Sequence, residues 1–186
     1  MKKALILLAD GFEETEALTT HDIFARTHEI ETTLASTMGE SLVTSSMGLK
    51  VLADGKLEDL NLEDYDFLIL PGGKLGVENL KSNPKVIMAI KSFISSSRHV
   101  HAICAAPSIL GELGYLDDKE YTCFPGFQRG NGKYLDQGEV TSNGLVTGHS
   151  MGYTIEFAEA IVRLEIGQEA VDRIYPGTRG KELKHE

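Results

Sequence analysis

The chain has no tryptophan, and only two of its 186 residues are cysteine. Two cysteines cannot build the disulfide framework on which small secreted domains depend, so a reduced, cytoplasmic setting is expected. Basic residues are also few: 18 against 28 acidic ones, a formal net charge of −10. Phosphate contacts need clustered Lys and Arg, so no dedicated nucleic-acid surface is expected. No apolar run approaches the roughly 20 residues of a membrane span. The opening Met1-Lys2-Lys3-Ala4-Leu5-Ile6-Leu7-Leu8 looks like the start of a signal peptide. However, Asp10, Glu13 and Glu14 cut the apolar stretch short, and no small-residue cleavage site follows. There is no repeat, linker or low-complexity block. What remains is an ordinary globular composition, 41% hydrophobic and 25% charged, in one domain (1–186) with room for a sizeable core.

Apolar runs of strand length alternate with helical patterns. Ala4–Leu8, Phe67–Leu70, His99–Ile103 and Leu145–Thr147 are short and apolar, as expected of parallel strands covered on both faces. Ile30–Ser36 alternates and is β-branched. Residues 42–60 read as small peripheral strands or a hairpin, and 121–124 and 140–141 as further short strands. Helices are expected from about Glu14 to Arg26 and from Pro84, capped by Asn83, to about Ser96. Further helices are expected from Pro107 to near Gly114, from Gly152 to about Ile166, and from Gln168 to Ile174. Residues from about 177 to 186 form a charged tail with little to bury. The alternation predicts an α/β fold, a doubly wound, mostly parallel sheet sandwiched by helices.

Cys104 stands where the strand His99–Ile103 breaks into small residues before Pro107. Proline is favoured in a helix's first turn, so the cysteine should sit in a sharp strand-to-helix turn, the geometry of a nucleophile elbow. A helix N-terminus there would favour thiolate over thiol. The plain alternative is a buried cysteine acting as a small hydrophobe. In doubly wound sheets, sites gather at the carboxyl ends of strands. That edge should carry Glu13, Glu14 and Glu16 after the first strand, and Pro71-Gly72-Gly73 after the Phe67 strand. Cys104-Ala105 and Gly148-His149-Ser150 should join them. An acid, a glycine turn with free N–H groups, a cysteine and a histidine can make a thiolate site with an oxyanion hole. No metal or cofactor is expected. Each part also has a plain role, as helix-start acids, a turn and a solvated loop histidine.

Ala9-Asp10-Gly11-Phe12-Glu13-Glu14-Thr15-Glu16-Ala17, Leu70-Pro71-Gly72-Gly73 and Ala102-Ile103-Cys104-Ala105-Ala106-Pro107 resemble the ThiJ/PfpI superfamily. The branch is that of the parkinsonism-associated protein and its bacterial relatives, and the resemblance extends to Ile155-Glu156-Phe157-Ala158. It implies a flavodoxin-like sandwich, related to the class I glutamine amidotransferases, and a homodimer. It implies Cys104 as the reactive thiol and Glu16 as the carboxyl bonded to it. The N–H groups of Gly73 and Ala105 should form the anion pocket, with Gly72, Phe124 and His149 as candidate pocket residues.

Departures narrow the reading. Ala105 stands where the protease-like branch has a histidine after the cysteine, which argues against a peptidase. His149-Ser150-Met151 does not supply the late His-x-Glu of a glutamine amidotransferase. Phe124 replaces a histidine that some relatives place near the cysteine. Met47 lies where some carry an arginine reaching the partner's pocket. The expected function is a glyoxalase or deglycase acting on small reactive carbonyls through Cys104 and Glu16. The alternative is a redox sensor or stress chaperone acting through oxidation of Cys104.

Overall fold

Ala4 to Leu8 are all completely buried, and this run lies within the central strand of the molecule. The computed structural model describes residues 1–181. β1 (Lys2–Leu8) leads into α1 (Glu14–Thr27), β2 (Ile30–Ser36), a hairpin of β3 (Leu42–Thr44) and β4 (Lys50–Leu52), and the short β5 (Gly55–Lys56). Next come β6 (Phe67–Leu70), α2 (Lys74–Ser82), α3 (Pro84–Ser95), β7 (His99–Ile103) and α4 (Pro107–Glu112). β8 (Glu120–Tyr121), β9 (Lys133–Tyr134), β10 (Glu139–Ser142) and β11 (Leu145–Gly148) precede α5 (Thr154–Ile166) and α6 (Gln168–Arg179). Seven strands form the main sheet in the order β10-β11-β7-β6-β1-β2-β5. Among the described residues of this sheet, only β10 is antiparallel to its neighbour; the other pairings within it are parallel.

Period-2 alternation divides the core in two. Leu5, Leu7, Leu68, Leu70 and Val100 pack with Val77 and Leu80 of α2, Ile90 and Phe93 of α3, and Ile109 of α4. Ala4, Ile6, Phe67, Ile69 and Val146 face the other way, onto Ile23 and Phe24 of α1, Phe157 and Ile161 of α5, and Ile174 of α6. This is the doubly wound, mostly parallel sandwich that the alternation predicts. Among the described residues, no helix is long and apolar enough to cross a membrane.

Several elements differ from expectation. The helix α2 is not evident in the sequence, because Leu75 is exposed while Gly76 sits on the buried face. Gly76 is needed there: a Cβ would lie 2.8 Å from the Phe12 backbone. The strand expected over 121–124 stops at Tyr121, since Phe124 N–H turns away to donate to Cys104 O at 2.8 Å. The helix expected from Gly152 begins at Thr154, after one 3₁₀ turn. The charged tail expected from about residue 177 begins later. The helix α6 continues through Pro176 to Arg179, whose guanidinium donates to Glu156 at 3.0 Å and Glu159 at 2.8 Å. These carboxylates give the end of the helix a partner that local composition does not reveal. The rest of that tail, 182–186, lies outside the described residues.

Candidate active site

Because β1, β6, β7 and β11 run parallel, their carboxyl ends open on one edge of the sheet. The helix α1 buries Glu16, Ala17, Thr20, Ile23, Phe24 and Thr27 as one face, at the 3–4-residue spacing of a helical stripe. Glu16 belongs to that stripe, whereas Glu13 and Glu14 point outward. Glu13 accepts from Ser46 Oγ at 3.1 Å and Glu14 from Met47 N–H at 3.3 Å. The Glu16 side chain therefore enters the core, where its Oε2 accepts from Gly72 N–H at 2.7 Å.

The turn at Pro71-Gly72-Gly73 is shaped around this carboxyl. A Cβ on Gly72 would lie 2.6 Å from Cys104 Cβ, 2.6 Å from Glu16 Oε2 and 3.1 Å from Cys104 Sγ. Any side chain there would occupy the space that thiol and carboxyl share. Gly73 has φ +88°, and a Cβ would meet Gly11 O at 2.3 Å. Cys104 itself has φ +64°, a strained value for a residue with a side chain. The elbow is tied on both sides: Cys104 N–H donates to Gly148 O, and Cys104 O accepts from Phe124 N–H, each at 2.8 Å. The half-buried thiol faces the N–H groups of Gly73 and Ala105, both of which favour thiolate.

Burial raises the Glu16 carboxyl to about 7, against opposing hydrogen bonds from Gly72 and Cys104. Its Oε1 is buried without a hydrogen-bond partner of conventional geometry. Burial, and then the charge and hydrogen bond of Glu16, push the Cys104 thiol up; the Gly73 and Ala105 N–H groups oppose this but are outweighed. This corrects the expectation of a thiolate favoured simply by a helix terminus. The helix α4 is only six residues long, too short for a strong dipole. The thiolate form instead requires Glu16 to hold the pair's shared proton. Both contributions of Glu16 then reverse, and its O–H joins two N–H groups as a donor toward sulfur.

A cleft of about 300 Å³ opens over the pair, lined by Glu13, Glu16, Gly73, Lys74, Cys104, Ala105, Phe124, Phe127, Ser150 and Met151. Phe124 is thus a lining residue, and Gly72 serves the site through its N–H. His149 does not line the cleft. Its ring lies behind Phe124 and against Tyr153, with centroids 6.5 and 5.9 Å away, and its Nε2 is 3.5 Å from Asp136. The ring is held by packing that loop composition does not show. Lys74, Phe127 and Met151 also line the cleft, although the sequence pattern does not single them out. Lys74 follows Gly73 at the edge already identified, whereas no spacing signals Phe127 or Met151.

Among the described residues, one cluster has the make-up of a metal site: ligand atoms of His99, His101 and Glu165 lie within 4.8 Å of one another. It sits around the start of β7, at the sheet edge opposite Cys104. His101 Nδ1 accepts from Val146 N–H at 3.0 Å. A neutral His101 ring must therefore carry its proton on Nε2, 3.4 Å from Glu165 Oε1. That nitrogen has no lone pair to offer a cation, so the cluster fits a proton-mediated His–Glu–His link.

Residues 2–164 match the model of the DJ-1/PfpI family. Protein DJ-1 homolog B of Arabidopsis thaliana is 32% identical over 89% of this chain, which spans only 38% of that longer protein. A glutathione-independent glyoxalase of Caenorhabditis elegans is 30% identical over 93% of this chain and 94% of its own length. A deglycase of Pyrococcus abyssi is 32% identical over 68% of this chain and 74% of its own. Among solved structures, a mutant DJ-1 superfamily protein from Salmonella typhimurium superimposes with a TM-score of 0.90. It is 29% identical, and the match covers 98% of this chain and 100% of that one.

Proposed function

Because the chain belongs to the DJ-1/PfpI family, we propose that it is a cysteine-dependent, cofactor-independent enzyme of the glyoxalase or deglycase type. Its substrates are small reactive carbonyls such as methylglyoxal or its adducts on amino groups. One observation carries this reading: a fully buried carboxyl, raised to about 7 and with one oxygen unpartnered, shares its space with a thiol. A group titrating near neutrality can both take and return a proton. The names of the worm glyoxalase and the archaeal deglycase support the same reaction class.

With Glu16 holding the shared proton, the Cys104 thiolate adds to the aldehyde carbon and a C–S bond forms. The N–H groups of Gly73 and Ala105 face the sulfur and lie where the developing oxyanion can accept from them. The oxyanion takes the Glu16 proton, giving a hemithioacetal and a carboxylate. Glu16 then removes the proton from the former aldehyde carbon and delivers it to the neighbouring one, while the hemithioacetal hydroxyl proton passes to the former ketone oxygen, leaving the thioester of lactate. Water cleaves the thioester, releases lactate and restores the thiol. Methylglyoxal plus water becomes lactate, with no oxidant or reductant.

Lactate formation from methylglyoxal by the purified protein, abolished in Cys104→Ser, is the expected result. No lactate from methylglyoxal and no glycolate from glyoxal would overturn the reading. A redox sensor or stress chaperone uses the same partly exposed thiol, with Glu16 and the elbow N–H groups holding a sulfinate. It has no use for a cleft of this size beside the sulfur, which favours the enzyme. Peroxide adding two oxygens to Cys104, in a protein without carbonyl turnover, would favour the sensor. In either reading the protein works as a cytoplasmic homodimer.

A further inference from the structure

Building on the carbonyl-enzyme reading, we propose that the preferred substrate is a 2-oxoaldehyde carrying an uncharged aromatic group, seated against Phe124 and Phe127. The cleft has two unlike sides. Its reactive floor holds Glu16, Cys104 and the elbow N–H groups. Its wall is apolar, made of Phe124, Phe127 and Met151. Phe124 is 44% exposed and Met151 54%, large apolar surfaces left uncovered directly beside a nucleophile.

The wall is fixed relative to the sulfur. Phe124 N–H donates to the carbonyl of Cys104 itself at 2.8 Å, and Phe127 N–H to Phe124 O at 3.1 Å. The two rings meet edge-on, with centroids 6.3 Å apart and planes at 72°. An aromatic guest can complete such an edge-and-face cluster, which rewards ring over alkyl substituents. The volume agrees, since about 300 Å³ is about ten waters' share of liquid and exceeds what a three-carbon oxoaldehyde fills.

The charged lining gives an ionic substituent no unopposed partner. Glu13 and Lys74 both line it, and among the described residues Lys74 makes no ion pair within 4 Å. A carboxylate or ammonium on the substrate would meet one attractive and one repulsive group, whereas a neutral ring meets neither. The chemistry is that of the proposed reaction: an aryl oxoaldehyde gains one water and becomes the aryl 2-hydroxy acid.

The test measures kcat/KM for phenylglyoxal (mandelate formed) and methylglyoxal (lactate formed), in the wild type and Phe124→Ala. In parallel, Cys104 is alkylated with bromoacetophenone and bromoacetone, each rate divided by that of a small free thiol. The wild type should prefer the aryl compound in both assays, and Phe124→Ala should lower the preference by about tenfold or more. A wild type without aryl preference, or a preference untouched by Phe124→Ala, would overturn the proposal while leaving the carbonyl reading intact. If neither oxoaldehyde turns over, the enzymatic reading falls. The haloketones then decide the pocket alone: a Phe124-dependent aryl excess supports the seat, and equal rates refute it.

Discussion

Glu16 enters the core as part of the inward stripe of α1, although glutamate is almost never fully buried unless paired. Its raised pKa has a stability consequence of definite sign. A carboxyl whose folded pKa lies above its unfolded value is tolerated in its neutral form. Its stability contribution is intact below about pH 4.5 and is lost as pH rises through about 7. Glu16→Gln should match the wild type near pH 4.5. By pH 8 it should exceed it by about 3 kcal/mol, the shift from 4.5 to about 7 at ~1.4 kcal/mol per pH unit. Urea denaturation at the two pH values checks this, and parallel curves would argue against a neutral buried Glu16. The same variant separates the two roles of the carboxyl. Removing the negative charge that helps push the thiol up should make Cys104 alkylate several-fold faster at pH 8, while fully buried Cys123 stays slow. Turnover should fall by about 10²–10⁴, as expected for a lost general acid–base, with Glu13→Gln changing it far less. Slower alkylation in Glu16→Gln would instead place the shared proton on Glu16 in the resting enzyme.

At the scale of elements, β7 carries ionisable side chains at its start and just beyond its end. Its carboxyl end becomes the elbow. Its start packs His99 and His101 against Glu165 of α5, with His99 Nδ1 2.5 Å and His101 Nε2 3.4 Å from the same oxygen. Lys2 Nζ of β1 stands 3.8 Å from the other oxygen. Burial lowers the His101 pKa, outweighing the opposing pull of Glu165. A depressed folded pKa means that the unfolded chain takes up the proton first. Stability is therefore complete above about pH 6.5, the unfolded histidine value, and declines as pH falls below it. His101→Gln should remove that decline, which is at most about 1.4 kcal/mol per pH unit. Urea midpoints at pH 7 and 5.5 measure it; an equal drop in both proteins would show that His101 takes up its proton as readily in the folded protein as in the unfolded chain.

At the scale of the molecule, the hairpin of β3 and β4 carries Leu42, Met47, Leu49 and Leu52, all exposed. Glu13 and Glu14 bond to Ser46 and Met47 in its connecting loop. Such a patch, tied to the first turn of α1, fits a self-complementary two-fold contact. Light scattering at micromolar concentration should give twice the monomer mass. Leu52→Lys combined with Leu42→Lys should shift the protein toward monomer without unfolding it, because both side chains are exposed. A wild-type monomer would remove the dimer, but leave the intrachain geometry of Cys104 and Glu16 unchanged.

The alternation of short apolar runs with amphipathic stretches was enough to predict the doubly wound sheet, because strand burial on both faces and helix burial on one leave periodic traces. It placed β1, β2, β6, β7 and β11, and put Glu16, Gly73, Cys104 and Ala105 at one edge. Residues that matter through contacts distant in sequence left no such trace. The helix α2 hides because Gly76 packs against Phe12, and the end of α6 because its partners, Glu156 and Glu159, lie about twenty residues earlier. Local pattern placed His149 at the edge, but only tertiary packing turned it behind Phe124 and brought Phe127 and Met151 into the cleft. The protonation balance of Cys104 was likewise out of reach, since motif and spacing identify the acid and the thiol but not the burial that raises both. Desolvation is a property of everything packed around a group, so it exists only once the chain has folded.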